Sequence, residues 1–209
     1  QIALTRLPER GATDAIVAAA SRLLNQTCLA LTRGQYLDIG FEGRDQVSVD
    51  EYLAMIEGKT AALVACACEM GGLVARAPDF RCENLRAFGR HLGLAFQMQD
   101  DILGIWGEAA LTGKPVGADI ARRKKSLPIL HGLEHNAELR KLLARKTLAP
   151  ADIDYAKSLL QATGSRAYTE RLAREHHERA LAALEAADLQ GSAAQALREL
   201  AQALLGRER

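Results

Sequence analysis

Apolar residues recur along the chain at three- and four-residue intervals. Gly and Pro gather between the runs and no alternating strand pattern is present, so the sequence predicts an all-α protein. The first long run covers residues 13 to about 39; Thr13, two residues after Gly11, is a candidate N-cap, and Asp14 complements the helix dipole. The second opens on Ser48-Val49-Asp50-Glu51, a capping-box pattern, and runs to about residue 75 before Pro78 stops it. A third helix is predicted over about 80–106, then a loop over 107–118 with three glycines and Pro115. Shorter helices follow at about 127–133, 137–145, 151–162, 166–187 and 192–205. No fixed-period repeat or low-complexity linker interrupts the pattern, so residues 1–209 read as a single domain.

Composition narrows the partners. With 209 residues, 48% hydrophobic and 25% charged, the chain can build a real core and does not read as disordered. The 27 Lys and Arg against 26 Asp and Glu leave the overall field near neutral, which gives no support for nucleic acid or an anionic membrane as partner. Cys28, Cys66, Cys68 and Cys82 contain no Cys-x-x-Cys unit and are expected to be reduced, small core residues. No stretch approaches the roughly 20 uncharged apolar residues of a membrane span, and no signal peptide opens the chain, so a cytoplasmic protein without stable membrane insertion is the expectation.

Candidate chemistry concentrates in a few places. Phe96-Gln97-Met98-Gln99-Asp100-Asp101 sits in an otherwise apolar helix, where adjacent carboxylates repel and lose hydration unless something positive compensates them. Mg²⁺ is a natural partner, since it takes one or two carboxylates plus phosphate oxygens; a solvated acidic helix end is the plainer alternative. Helical spacing puts Phe96, Gln97 and Asp100 on one face. Downstream, Lys114 and Asp119 lie on the Gly-rich loop, followed by Arg122-Arg123-Lys124-Lys125, either a phosphate site or a solvated basic face. Lys59, in the apolar setting of Glu57-Gly58-Lys59-Thr60, must meet an anion or reach solvent. Gln35 and Asp38 could line the same cavity or pair with a loop. The five histidines form no ligand set, and the nucleophile-elbow and P-loop patterns are absent from the sequence.

Taken together, Gly34-Gln35-Tyr36-Leu37-Asp38, Tyr52 to Met55-Ile56 with Lys59-Thr60, Phe96-Gln97 to Asp100-Asp101, Gly113-Lys114 to Gly117 and Asp119, and Lys124 to Leu127-Pro128 resemble the trans-isoprenyl diphosphate synthase (polyprenyl synthetase) family. The resemblance covers roughly residues 5 to 205. It implies a bundle of antiparallel helices around a central cavity, and condensation of an allylic diphosphate with isopentenyl diphosphate in the presence of Mg²⁺. It implies Asp100 as a metal ligand, supported by Asp101 and Asp119; Lys59, Lys114 and Lys124 on the diphosphate; Thr60 and Gln97 facing the allylic cation; and Phe96 shaping the isopentenyl pocket. Gln35 would join the substrate-binding residues. A homodimer is expected from the family and from long Ala- and Leu-rich helices with more apolar surface than a thin bundle can bury.

Two departures accompany the resemblance. Gly104 stands where the family's second aspartate-rich motif closes on a third aspartate, and the family's first such motif belongs to helices upstream of Gln1. The 209 residues are therefore expected to be the C-terminal two-thirds of the bundle, with half of a two-sided metal site. A non-catalytic regulatory subunit of a heteromeric synthase and a plain helical scaffold are the alternatives, separated from the enzyme by whether an Asp-rich helix precedes Gln1.

Overall fold

The computed structural model describes residues 2–108, 113 and 115–205, and among them it contains helices and no strand. A short α1 (Ile2–Thr5) and a 3₁₀ turn (Pro8–Arg10) lead into α2 (Asp14–Glu42). Then come α3 (Val49–Ile56), a π-helical segment (Glu57–Ala61), α4 (Ala62–Val74) and α5 (Asp79–Trp106). The remainder is α6 (Ala118–Ala121), α7 (Leu127–His135), α8 (Ala137–Leu143), α9 (Pro150–Ala162), α10 (Ser165–Ala186) and α11 (Ser192–Leu205). The predicted caps form: the Thr13 hydroxyl accepts from the Ile16 amide, and Ser48 and Glu51 close a reciprocal capping box.

α5 is the axis of the bundle, because its apolar residues enter three core clusters in succession. Phe88 and Leu92 pack with Ala180, Leu184 and Ala201. One to two turns on, Leu94 and Met98 pack with Phe41, Tyr52, Ile56, Leu127 and Ala173. Ile105 then joins Ile120, Ile129, Leu139, Leu142 and Leu160 at the far end. α4 and α10 flank α5 along its length. Burial of these side chains is the main favourable term of the fold, at about 25 cal/mol per Å² of apolar surface.

α2 touches the bundle along a thin seam. Its buried residues are Ala20, Thr27, Gly34 and Phe41, each seven after the last. Two expectations change as a result. Cys28 is exposed rather than in the core, since it lies beside the seam residue Thr27 and points away from it, whereas Cys66 is buried. α2 is also long and apolar enough, by length and composition, to cross a membrane, with a mean hydropathy of 1.2 over its best window. In a 29-residue helix the five charges, Asp14, Arg22, Arg33, Asp38 and Glu42, are spread thinly among Ala and Leu, which a count of uninterrupted apolar residues does not register.

Candidate functional site

The centre of the site is the Asp pair on α5, whose two members have opposite surroundings. Asp101 points inward and is fully buried. It accepts hydrogen bonds from the Tyr52 hydroxyl, from the Leu127 amide at 2.9 Å, from Lys124 Nζ at 3.0 Å and from Gln97 Nε2 at 3.4 Å. A carboxylate offers about four acceptor positions, so these donors saturate it. Asp101 thereby ties α3, α5 and the start of α7 together, and caps the α7 N-terminus where the Ser126 side chain does not. Burial, and then the Asp101 charge, hold the Tyr52 phenol well above its ordinary pKa.

Asp100, one residue earlier, faces outward with 49% of its side chain exposed. Asp119, on α6, brings a third carboxylate to the same ammonium, that of Lys124, without the three converging on one point. The Lys124 ammonium lies 3.9 Å from Asp100 Oδ2, 3.0 Å from Asp101 Oδ1 and 3.3 Å from Asp119 Oδ2. Burial alone would lower the Lys124 pKa, but Asp101, Asp119 and Asp100 outweigh it and keep the group above its ordinary value. Burial raises Asp119, with the neighbouring carboxylates adding to it and Lys124 opposing. Arg123 takes no part in this cluster. At φ +52° its guanidinium turns away to donate to the carbonyls of Leu143 at 3.1 Å, the last residue of α8, and of Lys146 at 3.2 Å, just beyond it.

Lys59 and Thr60 are carried by the π-helical segment, a local widening that changes which side chains face the bundle. Gly34 and Gly58 let α2 and this segment meet backbone to backbone: a Cβ on Gly34 would lie 2.7 Å from the Gly58 carbonyl carbon and 2.8 Å from Lys59 Cα. Lys59 reaches across that contact to an ion pair with Asp38. The Thr60 hydroxyl donates to Gln97 Oε1 at 2.9 Å, and Gln97 passes its amide on to Asp101. Glu57 on the same segment is held by Arg90 through two hydrogen bonds of 2.6 and 2.8 Å.

Of the residues singled out from sequence, Asp100, Asp101, Asp119 and Lys124 form one cluster, and Thr60 and Gln97 are hydrogen-bonded to it. Lys59 is paired with Asp38; Phe96 is half-buried on α5; Gln35 is exposed on α2. Lys114 lies outside the described residues. Sequence reasoning missed the structural part of Tyr52, which reads as one more apolar residue beside Met55 and Ile56, and the capping role of Arg123. It also left Asp38 between cavity lining and pairing, and the structure gives it Lys59 as partner. An open cleft of about 1770 Å³ is bordered by Asp38, Asp119, Lys124 and Lys125 among others.

A family model described as "Polyprenyl synthetase" matches residues 5–160. The chain is 46% identical over 180 residues to the geranylgeranyl diphosphate synthase of Mycobacterium tuberculosis, an alignment covering 83% of this chain and 51% of that protein. The crystal structure of a polyprenyl synthetase from Streptomyces coelicolor A3(2) superposes with a TM-score of 0.85 at 35% identity, covering 98% of this chain and 62% of the other. That of a geranylgeranyl pyrophosphate synthase from Corynebacterium glutamicum, complexed with isoprenyl diphosphate and magnesium, gives a TM-score of 0.85 at 27% identity, covering 96% and 58%. The chain thus spans about half the length of the curated relative and about three-fifths of the solved structures.

Proposed function

The chain belongs to the polyprenyl synthetase family, and from that premise we propose that the protein is a Mg²⁺-dependent trans-isoprenyl diphosphate synthase. It joins an allylic diphosphate to isopentenyl diphosphate and releases diphosphate. The observation that carries this reading is the split within the Asp pair: Asp101 is saturated by protein donors, while Asp100 beside it keeps an exposed carboxylate next to Lys124 and Asp119.

The reaction breaks the bond between the allylic carbon and the diphosphate oxygen, and the electron pair leaves with diphosphate. The alkene of isopentenyl diphosphate then attacks the allylic cation, and loss of a proton completes the product. Such a site needs positive charge on the leaving group and little general acid or base. Lys124 lies beside the leaving-group position on this reading, with Lys59 and Lys114 completing the diphosphate grip. Asp38 fixes where the Lys59 ammonium can go. Thr60 and Gln97 turn oxygen dipoles toward the cation, and their mutual hydrogen bond orients both. Phe96 and Gln35 contribute to the substrate walls.

The residues fit the metal. Among the described residues no three His, Cys, Asp or Glu converge to hold a cation unaided, which suits an ion that completes its shell with phosphate oxygens. Asp100 supplies an exposed carboxylate, and the buried Asp119 Oδ2 accepts no hydrogen bond from the described residues. Bound there, Mg²⁺ adds positive charge to the departing diphosphate. The same reading makes residues 1–209 the C-terminal part of one bundle and the protein a cytoplasmic homodimer without stable membrane insertion.

Radiolabelled isopentenyl diphosphate with dimethylallyl or farnesyl diphosphate and Mg²⁺ tests the activity in wild type and Asp100→Ala. Asp100→Ala should leave less than about a tenth of the activity, because a catalytic metal contributes several kcal/mol to the barrier. Helix content by circular dichroism should be unchanged. Greater residual activity removes Asp100 from the metal, and a wild type that makes no product but alters a partner synthase would point to a regulatory subunit.

A further inference from the structure

The five histidines read from the sequence as no ligand set, yet His131 and His135 stand four apart on α7 and so share one helix face. Their rings stack with centroids 4.3 Å apart, and Tyr168 of α10 stacks on His131 in turn at 4.2 Å. All three side chains border the open cleft. The stack restrains both imidazoles at its wall.

Hydrogen bonds fix which ring nitrogen carries the proton. His135 Nδ1 lies 2.8 Å from the His131 carbonyl oxygen, which can only accept, so that nitrogen is protonated. His131 Nδ1 lies 3.0 Å from Ser165 Oγ, fully buried at the start of α10. The single hydroxyl proton of Thr163 goes to the carbonyls of Leu159 and Leu160 at 3.1 and 3.0 Å. Ser165 therefore donates to Thr163 Oγ1 at 2.7 Å and accepts from His131 Nδ1–H. Each ring is left with its lone pair on Nε2. An imidazole pinned through Nδ1–H to a protein acceptor is the arrangement of a metal-ligating histidine. Burial, and then the charge of His135, lower the His131 pKa against Glu134, so the ring is neutral and ready to bind at neutral pH.

We propose that His131 and His135 form a bidentate site for a divalent transition-metal ion of the Ni²⁺, Cu²⁺ and Zn²⁺ class, separate from the carboxylates read as the Mg²⁺ site. Imidazole nitrogen suits these ions, whereas Mg²⁺ prefers oxygen, so ligand chemistry keeps the two sites apart. Two metal–nitrogen bonds of about 2.0–2.1 Å set the nitrogens about 3.0–3.3 Å apart, which the stacked rings reach by a modest side-chain rotation. Glu134, three residues after His131, borders the same cleft and adds negative charge. Arg140 borders it too, but its guanidinium is engaged by the carbonyls of Leu133 and Glu134. Among the described residues no third ligand converges, so water completes the shell. The site stands whether or not the protein is a synthase.

Titration calorimetry of Ni²⁺ into the untagged protein at about pH 7.5, above the imidazole range, measures the site. One Ni²⁺ should bind per chain, and a large excess of Mg²⁺ should not displace it. His131→Gln and His135→Gln should each weaken binding at least tenfold; His135 is exposed, so circular dichroism should show its variant fully folded. Ser165→Ala, which removes the acceptor that fixes the His131 tautomer, should weaken binding roughly tenfold, the scale for losing such a partner. Electron paramagnetic resonance of bound Cu²⁺ should show two imidazole nitrogens in wild type and one in His135→Gln. Binding unchanged in His135→Gln, displacement by Mg²⁺, or an equal loss in His91→Gln, whose ring belongs to a different pair, would overturn the proposal.

Discussion

α5 and α2 are nearly equal in length and are buried very differently. Of the 28 residues of α5, twelve are buried, including the polar Gln99 and Asp101; of the 29 of α2, four are, and they follow a single seven-residue seam. Both helices are rich in apolar residues, so hydrophobicity alone does not tell a helix enclosed on every side from one touching a single neighbour. What distinguishes α5 is that its polar groups are spoken for. A helix enclosed by others can keep a charge only if donors arrive from several elements, and Asp101 receives them from α3, α5, Lys124 and α7. α2 has the opposite liberty: away from its seam, a polar or apolar residue changes little within this chain.

The strongest way to break this comparison is to remove the enclosed charge. Asp101→Ala leaves the Tyr52 hydroxyl, the Leu127 amide and the Lys124 ammonium without their shared acceptor. It should destabilise the protein by about 3–5 kcal/mol, the range for breaking a buried charge network. Guanidinium unfolding read by circular dichroism would show it, and a loss below about 1 kcal/mol, the scale of an ordinary surface pair, would mean that Asp101 is not a structural hub.

Next in size is the seam of α2. Gly34→Ala should cost about 1–3 kcal/mol, because its methyl would drive α2 off the backbone of Gly58 and Lys59. Gly40→Ala, on the same helix but with nothing within 4 Å, should instead stabilise by up to about 1 kcal/mol through helix propensity. Equal effects from the two in denaturant melts would show that the seam is not tight.

A smaller effect sharpens the α5 side. His91 and His176 meet between α5 and α10 with their Nδ1 atoms 2.9 Å apart, close enough for only one proton between them. Burial first, and then His91, Arg179 and Arg90, push His176 down to about 4 against the opposing Glu175; His91 is lowered by burial, Arg90 and Arg179 against Glu57. The unfolded chain takes up a proton near pH 6.5 and the folded protein does not until about 4. Stability should therefore fall as pH is lowered through that window. One proton bounds the slope at about 1.4 kcal/mol per pH unit, and half-burial brings it well below that bound. His176→Phe should flatten the melting temperature between pH 6.5 and 5; an unchanged slope would remove the pair as its source.

Much of this was legible in the residues. The helix boundaries follow from caps, Gly and Pro, and the Thr13 and Ser48 caps form as read. The apolar setting of Asp100-Asp101 and of Lys59 marked them as residues that must find partners. The identity of those partners was not legible: Tyr52 lies 49 positions from Asp101, and Asp38 lies 21 from Lys59. Sequence periodicity reports which face of a helix is apolar and says nothing of which residue on another helix it meets. The π-helical segment was hidden for the same reason, since it lies where Gly58 meets Gly34 of α2, a contact that periodicity does not report. The approach of the Asp119 carboxylate to Gly104 could be seen only once α6 was placed against α5.

The smallest expected change is the most informative about α2. Leu29, Tyr36 and Ile39 are exposed on it, with Leu29 72% accessible. If the seam is the whole of what α2 contributes within this chain, replacing Leu29 and Ile39 together by Gln removes no buried area. The unfolding midpoint should then move by no more than about 0.5 kcal/mol, as for other surface positions. The same substitutions should change how copies of the protein interact, because contiguous exposed apolar positions favour association in water. Light scattering at micromolar concentration should therefore show less self-association in Leu29→Gln/Ile39→Gln than in wild type, while circular dichroism melts overlay. A stability loss above about 1 kcal/mol at a concentration where the protein is monomeric would mean that this face is packed within a single copy, as only a buried apolar pair produces a loss of that size. The contrast between α5 and α2 would then be one of degree.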